Sequence, residues 1–415
     1  MGSCFPSQLV APGENMRVLR RVGRILTAIV ICTFAGIAIL LCGLWLDHHQ
    51  ETNLLAPTGH YAVGRITYDW RDPNQQEPLA PHAGVPHEIS AWIWYPASAQ
   101  TAAKPVDYFP LSWRNALSQQ RGWFLTNFLW RDFSRVHAHS LEAPPLAPEQ
   151  QSYPVLLMRA GAAAEIAGYS SLAEDLASHG YVVVGFDAPY RSTMVVLPDG
   201  RKIARTSQNN ADLLSGNQQK QLGTLLVQAW SSDMSFALDQ LKQLNASDPT
   251  DRFKGRLDLA RVGVFGHSLG GATALQFCHD DMQCKAGADV DGAPLGTVIN
   301  EGIKQPFLFL LSDHSREPKS ETTPVLADLH SIYDRLPADR RLWIELKGAG
   351  HFGFTDLTVL PLHIAHLLNI VPMSDDRQVE ITRDCLRTFF DVYLRGAPPS
   401  ALSSLSTYPE VDHSH

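Results

Sequence analysis

The apolar residues of this chain follow two different patterns. Residues 25–46 are 22 positions without a formal charge, which as a helix are long enough to cross a hydrocarbon core about 30 Å thick. After His60, short apolar runs alternate with turn residues at the spacing that is usual in globular proteins. The first pattern predicts one membrane-spanning helix, and the second predicts a large folded domain behind it.

The folded part alternates strand-like and helix-like segments. Residues 155–158 and 181–186 are short apolar runs, and residues 169–179 between them have helical spacing. This is the pattern of a strand–helix–strand unit with parallel strands. Further strands are predicted at 89–95, 262–265, 286–290, 307–311 and 342–346, a hairpin at 195–203, and helices at 218–244 and from Gly270. We therefore predict an α/β fold with a mostly parallel, doubly wound sheet and flanking helices.

Residues 111–150 differ from the rest of the folded part. Residues 111–141 are compatible with a helix and rich in aromatic side chains, and Pro144, Pro145 and Pro148 then end the helical pattern. One interpretation is a helical hairpin packed on the core. The other, which we carry forward, is a helical insert at 111–150 that lines the substrate pocket with an apolar wall.

Charges on either side of the apolar segment predict its orientation. Arg17, Arg20, Arg21 and Arg24 precede it and Asp47 follows it, so the positive-inside rule places the N-terminus in the cytoplasm and the folded domain in the periplasm or at the cell surface. The alternative is secretion after signal cleavage. A signal peptide has an apolar core of about 7–15 residues and a small-x-small site, whereas residues 25–46 form a longer apolar segment, and residues 41–45 near its end offer no such site. We divide the chain into a cytoplasmic arm (1–24), a transmembrane signal anchor (25–46), a catalytic domain (47–396) and a polar tail (397–415).

Composition removes several classes of function. The net charge is −8 and 18% of the residues are charged, so no basic excess indicates nucleic-acid binding. No Cys/His spacing matches a zinc site, and we expect no metal. Cys278 and Cys284 are compatible with a disulfide, which a location outside the cytoplasm permits, or with two unpaired buried thiols.

The strongest chemical signal is a serine between glycines, in Gly266-His267-Ser268-Leu269-Gly270. The pattern G-x-S-x-G directly follows a predicted strand and precedes an alanine-rich helix, which is the order that a nucleophile elbow needs. Such a turn strains the serine backbone and projects its hydroxyl beside a helix N-terminus, which favours developing negative charge. The sequence therefore predicts Ser268 as a nucleophile.

A serine nucleophile needs a base, and in hydrolases with this elbow the acid and the histidine follow the serine in the chain. His351 is our candidate for the base, because its glycine-rich loop follows the last predicted strand, and His314 is the weaker competitor. His363 and His366 lie in an apolar helical pattern and are expected to be ordinary helix residues. The acid is either Asp291 or Asp313, since each comes at the end of a strand, and the residue pattern leaves both open.

Stabilisation of a tetrahedral intermediate requires two backbone N–H groups. One is expected from Leu269, the residue after the nucleophile. The other is expected from the loop after strand 155–158, where small residues allow close approach of the backbone to a substrate. We assign it to Ala162, with Gly161 as its neighbour.

Several sequence blocks together are more specific than the elbow alone. They are Gly266-His267-Ser268-Leu269-Gly270-Gly271-Ala272-Thr273, Asp291-Gly292-Ala293-Pro294-Leu295-Gly296 and Gly350-His351-Phe352. These blocks resemble the plasma-type platelet-activating-factor acetylhydrolases and their bacterial relatives, and the likeness covers most of residues 61–394. The resemblance implies an α/β-hydrolase fold and a calcium-independent serine esterase acting on short or oxidised acyl chains of phospholipids. It also implies Asp291 as the acid. The family usually has His-Gly where this chain has Ala160-Gly161.

The expected function is hydrolysis of lipid or short-acyl esters through an acyl-enzyme on Ser268, with neither metal nor organic cofactor. The expected partners are an ester or phospholipid substrate and the membrane that the N-terminal helix crosses. Two alternatives remain: another hydrolase activity of the same fold, on polyesters, thioesters or peptides, and a membrane-anchored binding module whose site is catalytically degenerate.

Overall fold

The computed structural model describes residues 12–98, 103–162, 164–356 and 376–412. His363, His366 and the outer parts of the predicted arm and tail (1–11 and 413–415) lie outside the described residues.

A large, mostly parallel sheet forms the centre of the domain. Numbered in chain order, the strands are β1 (Thr52–Asn53), β2 (Ala62–Gln76), β3 (Pro86–Ala97), β4 (Pro105–Asp107), β5 (Val136–Glu142), β6 (Tyr153–Arg159), β7 (Val182–Asp187), β8 (Met194–Val196), β9 (Lys202–Ala204), β10 (Leu257–His267), β11 (Cys284–Val290), β12 (Phe307–Leu311), β13 (Arg341–Leu346) and β14 (Val411–Asp412). The order across the sheet is β1-β5-β2-β3-β7-β6-β10-β11-β12-β13-β14, with β4 paired to β5 and β8-β9 forming a separate hairpin. The six neighbouring strands β7, β6, β10, β11, β12 and β13 are parallel to one another, and β3 pairs antiparallel with both β2 and β7.

Helices cover both faces of this sheet. These helices are α2 (Leu111–Arg121), α3 (Ser170–Ser178), α4 (Gly216–Ser247), α5 (Leu269–Asp280), α6 (Val298–Glu301), α7 (Lys319–Tyr333) and α8 (Arg377–Arg395), and a further helix, α1 (Pro12–His48), precedes the sheet. Buried side chains of α2, α3 and α8 join one apolar cluster, and those of α4 to α7 join the other. Within β12, Leu308 and Leu310 face the first cluster, while Phe307 and Phe309 face the second. Alternate side chains of a strand point to opposite faces, so both faces are buried, which confirms the predicted α/β class.

Helix α1 is longer than the predicted segment 25–46. It includes the arginine-containing stretch, because arginine and leucine are good helix formers, and it ends at His48. Residues Met16–His48 are long and apolar enough to cross a membrane, with a mean hydropathy of 2.8 over the most apolar stretch, none of it buried. The last turn is instead packed against the domain, where Asp47 lies 3.4 Å from Arg131. Helix and domain therefore meet without an intervening linker.

The prediction of a helical insert at 111–150 is wrong for its second half. Helix α2 ends before Gly122, and after a π-helical turn at Leu125–Leu129 the chain forms β5. In β5 the side chains of Val136, Ala138 and Ser140 are buried and those between them are exposed. This period of two is that of a strand with one face on the core, and the aromatic residues before it obscured that pattern in the sequence.

The polar tail predicted at 397–415 also contains regular structure. A 3-10 helix spans Pro399–Thr407, and β14 pairs antiparallel with β13 through Leu346 and Val411. The tail therefore closes one edge of the sheet. The structure also pairs Cys278 with Cys284 in a disulfide between the end of α5 and the start of β11.

Candidate active site

Ser268 forms the sharp turn between β10 and α5. Its backbone has φ +57° and ψ −125°, a conformation that side chains rarely adopt and that costs about 1–3 kcal/mol. A Cβ at Gly266 would lie 2.2 Å from the carbonyl oxygen of Gly270, and a Cβ at Gly270 would lie 2.3 Å from that of Arg159. Both glycines are therefore required for the turn, whose geometry is that of a nucleophile elbow.

The structure brings together Ser268, His351 and Asp291, three of the residues predicted from the sequence. Ser268 Oγ lies 3.0 Å from His351 Nε2, and His351 Nδ1 lies 2.7 Å from Asp291 Oδ2. The Asp291 side chain is almost completely buried, whereas the imidazole of His351 is 36% exposed. A serine hydroxyl, an imidazole and a carboxylate thus lie in one hydrogen-bonded line whose serine end faces a cavity.

Asp291 follows β11 with φ +56°, and this turn directs its carboxylate toward the loops that follow β12 and β13. Its oxygens accept hydrogen bonds from the backbone N–H and the hydroxyl of Ser312, both at 2.8 Å. Burial opposes ionisation of Asp291, but the contacts with His314 and His351 outweigh it and hold the pKa of the carboxyl far below its ordinary value. Asp291 is therefore a stable anion beneath His351.

Asp313, the alternative acid, connects two loops. Its carboxylate accepts hydrogen bonds from the N–H of Gly348, at 2.8 Å, and of Ser315, at 3.0 Å. Its own N–H donates to the carbonyl of Ala349 at 3.0 Å. Asp313 thereby fastens the loop after β12 to the loop that carries His351, while the imidazole of His351 pairs with Asp291.

The cavity beside Ser268 has a volume of about 470 Å³. Both residues predicted to form the oxyanion hole, Leu269 and Ala162, line it together with Ser268. Leu269 is the first residue of α5, where backbone N–H groups lack partners within the helix. All described residues that line this cavity lie between Ala162 and Asp328 in the chain. The predicted insert at 111–150 is thus not part of it, because β5 fixes that segment at the β1 edge of the sheet.

His267, the variable residue before the serine, was not identified from the sequence as part of the site. Its Nε2 lies 2.8 Å from the carbonyl oxygen of His351 and its Nδ1 lies 2.8 Å from the hydroxyl of Tyr169. Burial, with a smaller contribution from His351, lowers the pKa of His267 to about 3, so the ring is neutral. The available signal was a histidine at the end of a buried strand, where a polar side chain needs partners.

His314, the weaker candidate for the base, lies on the other side of the acid. Its Nε2 is 3.2 Å from Asp291 Oδ1, and its Nδ1 is 3.1 Å from Glu317 Oε2. The two imidazoles of His314 and His351 therefore flank one carboxylate.

A group able to hold a metal ion lies elsewhere. Within the described ranges, His48, His49 and Asp132 place one potential ligand atom each within 4.8 Å of one another. They lie where α1 meets the domain, and none of the three lines the cavity beside Ser268.

Comparison with known proteins identifies the family of this chain. The sequence model of the family described as "Platelet-activating factor acetylhydrolase, isoform II" matches residues 113–384, more than half of the chain. The chain belongs to this family. The match confirms the resemblance found in the sequence.

Individual relatives share about a quarter of the aligned residues with this chain. A platelet-activating factor acetylhydrolase of Cavia porcellus is 25% identical over 222 residues, which cover 50% of this chain and 49% of the relative. Cutinase 2 of Thermobifida cellulosilytica is 25% identical over 205 residues, covering 49% of this chain and 62% of the cutinase. The chain spans about half the length of the acetylhydrolases that it matches.

A solved structure shares the fold. A ferulic acid esterase from Streptomyces cinnamoneus superposes with a TM-score of 0.71 at 24% sequence identity, covering 88% of this chain and all of that one. Together with the parallel sheet and the strand–serine–helix turn, this likeness confirms the α/β-hydrolase fold.

Proposed function

We propose that the chain is a serine carboxylic-ester hydrolase in which Ser268 is the nucleophile, His351 the general base and Asp291 the acid. The observation that carries the proposal is the position of the His351 imidazole, which reaches Ser268 Oγ with one nitrogen and Asp291 with the other. A serine hydroxyl becomes an effective nucleophile only when such a base accepts its proton. The family to which the chain belongs supports ester hydrolysis over other reactions.

The reaction proceeds in two steps. As Ser268 Oγ attacks the acyl carbon, its proton passes to His351 Nε2, and Asp291 holds the imidazolium that forms. The N–H groups of Leu269 and Ala162 donate to the oxyanion of the tetrahedral intermediate. His351 then gives its proton to the leaving alcohol, which departs and leaves an acyl group on Ser268. A water molecule, deprotonated by His351, attacks the acyl carbon. The bond between that carbon and Ser268 Oγ then breaks, His351 returns the proton to Ser268 Oγ and the carboxylic acid leaves.

The lining of the cavity supports a substrate with an apolar chain and a charged head. Apolar side chains of Leu226, Leu269 and Leu295 share the cavity with Arg205 and Lys220. Two acidic residues, Asp212 and Asp328, also line it. Apolar surface binds acyl or alkyl chains, and the charged groups fix the orientation of a polar head. We propose lipid or short-acyl esters such as platelet-activating factor as the substrate class.

Polyesters are the second candidate. The similarity to a cutinase covers nearly as much of this chain as the similarity to the acetylhydrolase does, and a cutinase acts on esters that are part of a polymer. A panel separates the two: p-nitrophenyl esters of increasing acyl length, acetylated ether phospholipid, an aliphatic polyester, a thioester and a peptide. Fastest turnover of the phospholipid supports the first proposal, and fastest turnover of the polyester supports the second.

The role of Ser268 is tested independently of any substrate. A fluorophosphonate probe reacts covalently with an activated serine, so the wild-type chain should be labelled and Ser268→Ala should not. Ser247→Ala, at an exposed position at the end of α4, is the matched control and should be labelled like the wild type. Equal labelling of Ser268→Ala would refute the assignment, and absence of labelling in all folded variants would indicate a binding module instead.

We also propose that α1 anchors the domain in a membrane with its N-terminus in the cytoplasm. The apolar helix Met16–His48 and the arginines at its N-terminal end support this orientation. The disulfide between Cys278 and Cys284 suits an oxidising compartment on the far side. Cleavage of the segment and secretion remain the alternative.

A further inference from the structure

The carboxylate of Asp291 contacts more groups than its proposed role requires. One oxygen, Oδ2, pairs with His351 and with the hydroxyl of Ser312. The other oxygen, Oδ1, accepts from the N–H of Ser312 and lies 3.2 Å from Nε2 of His314. A second imidazole thus competes with His351 for the same negative charge.

We propose that His314 is a positioning residue of the active site, which holds Asp291 by its Oδ1 oxygen and, through its positive charge, limits how strongly His351 retains a proton. The inference rests on the proposed function, because it assigns to His351 the role of base. It adds a fourth ionisable group to the three that the reaction uses.

Local structure fixes the ring of His314 in place. It begins a 3-10 turn at His314–Arg316, which starts from Asp313, the residue that fastens this loop to the loop of His351. The ring lies between two carboxylates, with Asp291 at one nitrogen and Glu317 at the other. Its side chain is only 22% exposed. A histidine held between two anions is a cation when both are ionised.

The charge of His314 follows from these contacts. The interaction with Asp291, aided by Glu317 and opposed by burial, raises the pKa of His314 to about 9. A third carboxylate, that of Glu321, lines a small cavity of about 210 Å³ together with Asp291, His314 and Glu317. His351 is faced by Asp291 and by the neutral ring of His267. Near neutral pH, Asp291 is therefore already paired with one cation when His351 takes up a proton.

A cation on the shared carboxylate opposes a second cation on the neighbouring imidazole, by an amount that falls with distance and solvent screening. A residue that only braced the loop would affect stability and would leave the pH dependence of the reaction unchanged.

The test uses the full chain in detergent micelles and two probes, p-nitrophenyl butyrate and a fluorophosphonate. Rates of hydrolysis and of Ser268 labelling are measured from about pH 5 to about pH 10 for the wild type, His314→Gln, His314→Asn and His314→Lys. The two amides keep an N–H donor without the charge, and lysine keeps the charge. His82→Gln, on an exposed loop, is the control for histidine replacement elsewhere.

We expect the acidic limb of kcat/KM for His314→Gln and His314→Asn to move to higher pH by about 0.5–1 unit, with a smaller change in KM. His314→Lys should keep the limb within about 0.3 unit of the wild type, as should His82→Gln. Acidic limbs that coincide in the wild type and both amide variants would overturn the inference, provided that Ser268→Ala is inactive. Activity in Ser268→Ala would instead refute the proposed function.

If neither amide variant shows a cooperative melting transition, the pH dependence of Ser268 labelling in the wild type tests the inference instead. Since His314 loses its proton near pH 9, the labelling rate of Ser268 should rise about two- to fivefold above its neutral plateau between about pH 8 and about pH 10. A level or falling rate over that range would overturn the inference.

Discussion

The imidazole of His267 donates a hydrogen bond from Nε2 to the backbone carbonyl of His351 over 2.8 Å. Because a carbonyl only accepts and the ring is neutral, Nδ1 is the acceptor for the hydroxyl of Tyr169. The oxygen of Tyr169 in turn accepts from the N–H of Gly161 at 3.0 Å. A chain of three hydrogen bonds thus joins the loop of the proposed oxyanion donor to the loop of the proposed base.

Removing the hydroxyl of Tyr169 should uncouple these loops. In Tyr169→Phe the buried N–H of Gly161 and Nδ1 of His267 lose their partner, so we expect the free energy of unfolding to fall by about 1–3 kcal/mol. We expect kcat for p-nitrophenyl butyrate to fall about tenfold, because the two loops are held less accurately. KM should change less than kcat.

The matched control is Tyr393→Phe, whose hydroxyl donates to the carbonyl of Asp339 at the surface and lies outside the cavity lining. Urea unfolding and steady-state kinetics of both variants are the measurements. A stable Tyr169→Phe with the kcat of the wild type would show that the hydrogen-bonded chain does not support the reaction.

The neutral state of His267 predicts a pH dependence of stability. Above about pH 6.5 the ring is neutral in both the folded and the unfolded chain. Between that pH and about 3, the pKa in the folded protein, only the unfolded chain binds the proton. The free energy of unfolding should therefore fall as the pH falls.

His267→Gln, which keeps an acceptor and a donor, removes this contribution. Between about pH 6.5 and about pH 4.5 the wild type should lose up to about 2–3 kcal/mol more than the variant. Urea unfolding curves at several pH values measure the difference, in which the contributions of other groups cancel. Parallel pH dependence in the two proteins would contradict a neutral, buried His267.

The two aspartates considered as the acid should behave differently. Asp291→Asn leaves His351 without an anion beneath it and permits the wrong tautomer of the ring, so we expect kcat to fall about 10³- to 10⁴-fold. Asp313→Asn keeps one acceptor for the N–H of Gly348 and should lower kcat less than about tenfold, with a loss of stability of about 1 kcal/mol. Comparable losses of kcat in both variants would contradict the assignment of Asp291.

The parts of the site that were predicted from the sequence are those encoded locally. The strand before Ser268, the glycines on either side of it and the helix after it are consecutive in the chain, and G-x-S-x-G requires that arrangement. His351 was also found, because a glycine-rich loop after the last strand of a parallel sheet opens at the same edge as the elbow.

The parts that the sequence did not determine depend on residues far apart. The residue pattern left Asp291 and Asp313 open, although the family resemblance implied Asp291. The structure separates them by the positive φ of Asp291 and by the loop contact between Asp313 and Gly348, neither of which has a local pattern. The contact between Tyr169 and His267 joins residues 98 positions apart. Strand β5, which lies between β1 and β2, was mistaken for helix, because its alternation is short and the aromatic segment before it is longer.

The proposed membrane topology predicts which sites a membrane-impermeant maleimide reaches in intact cells. Cys4, Cys32, Cys42 and Cys385 are first replaced by serine, and the disulfide is kept. Val18→Cys, exposed near the start of α1, and Ser247→Cys, exposed in the folded domain, then report the two sides.

We expect labelling of the cysteine at position 247 and none at position 18, because the arginines beside position 18 are retained in the cytoplasm. After lysis both sites should react, which controls for accessibility. The labelled chain should sediment with membranes at its full mass of 45.8 kDa. A shorter product in the soluble fraction would establish cleavage and secretion, and labelling of position 18 alone would reverse the proposed orientation. An uncleaved helix packed against Arg131 through its last turn would hold the Ser268 cavity at a fixed distance from the bilayer, where lipid esters are concentrated.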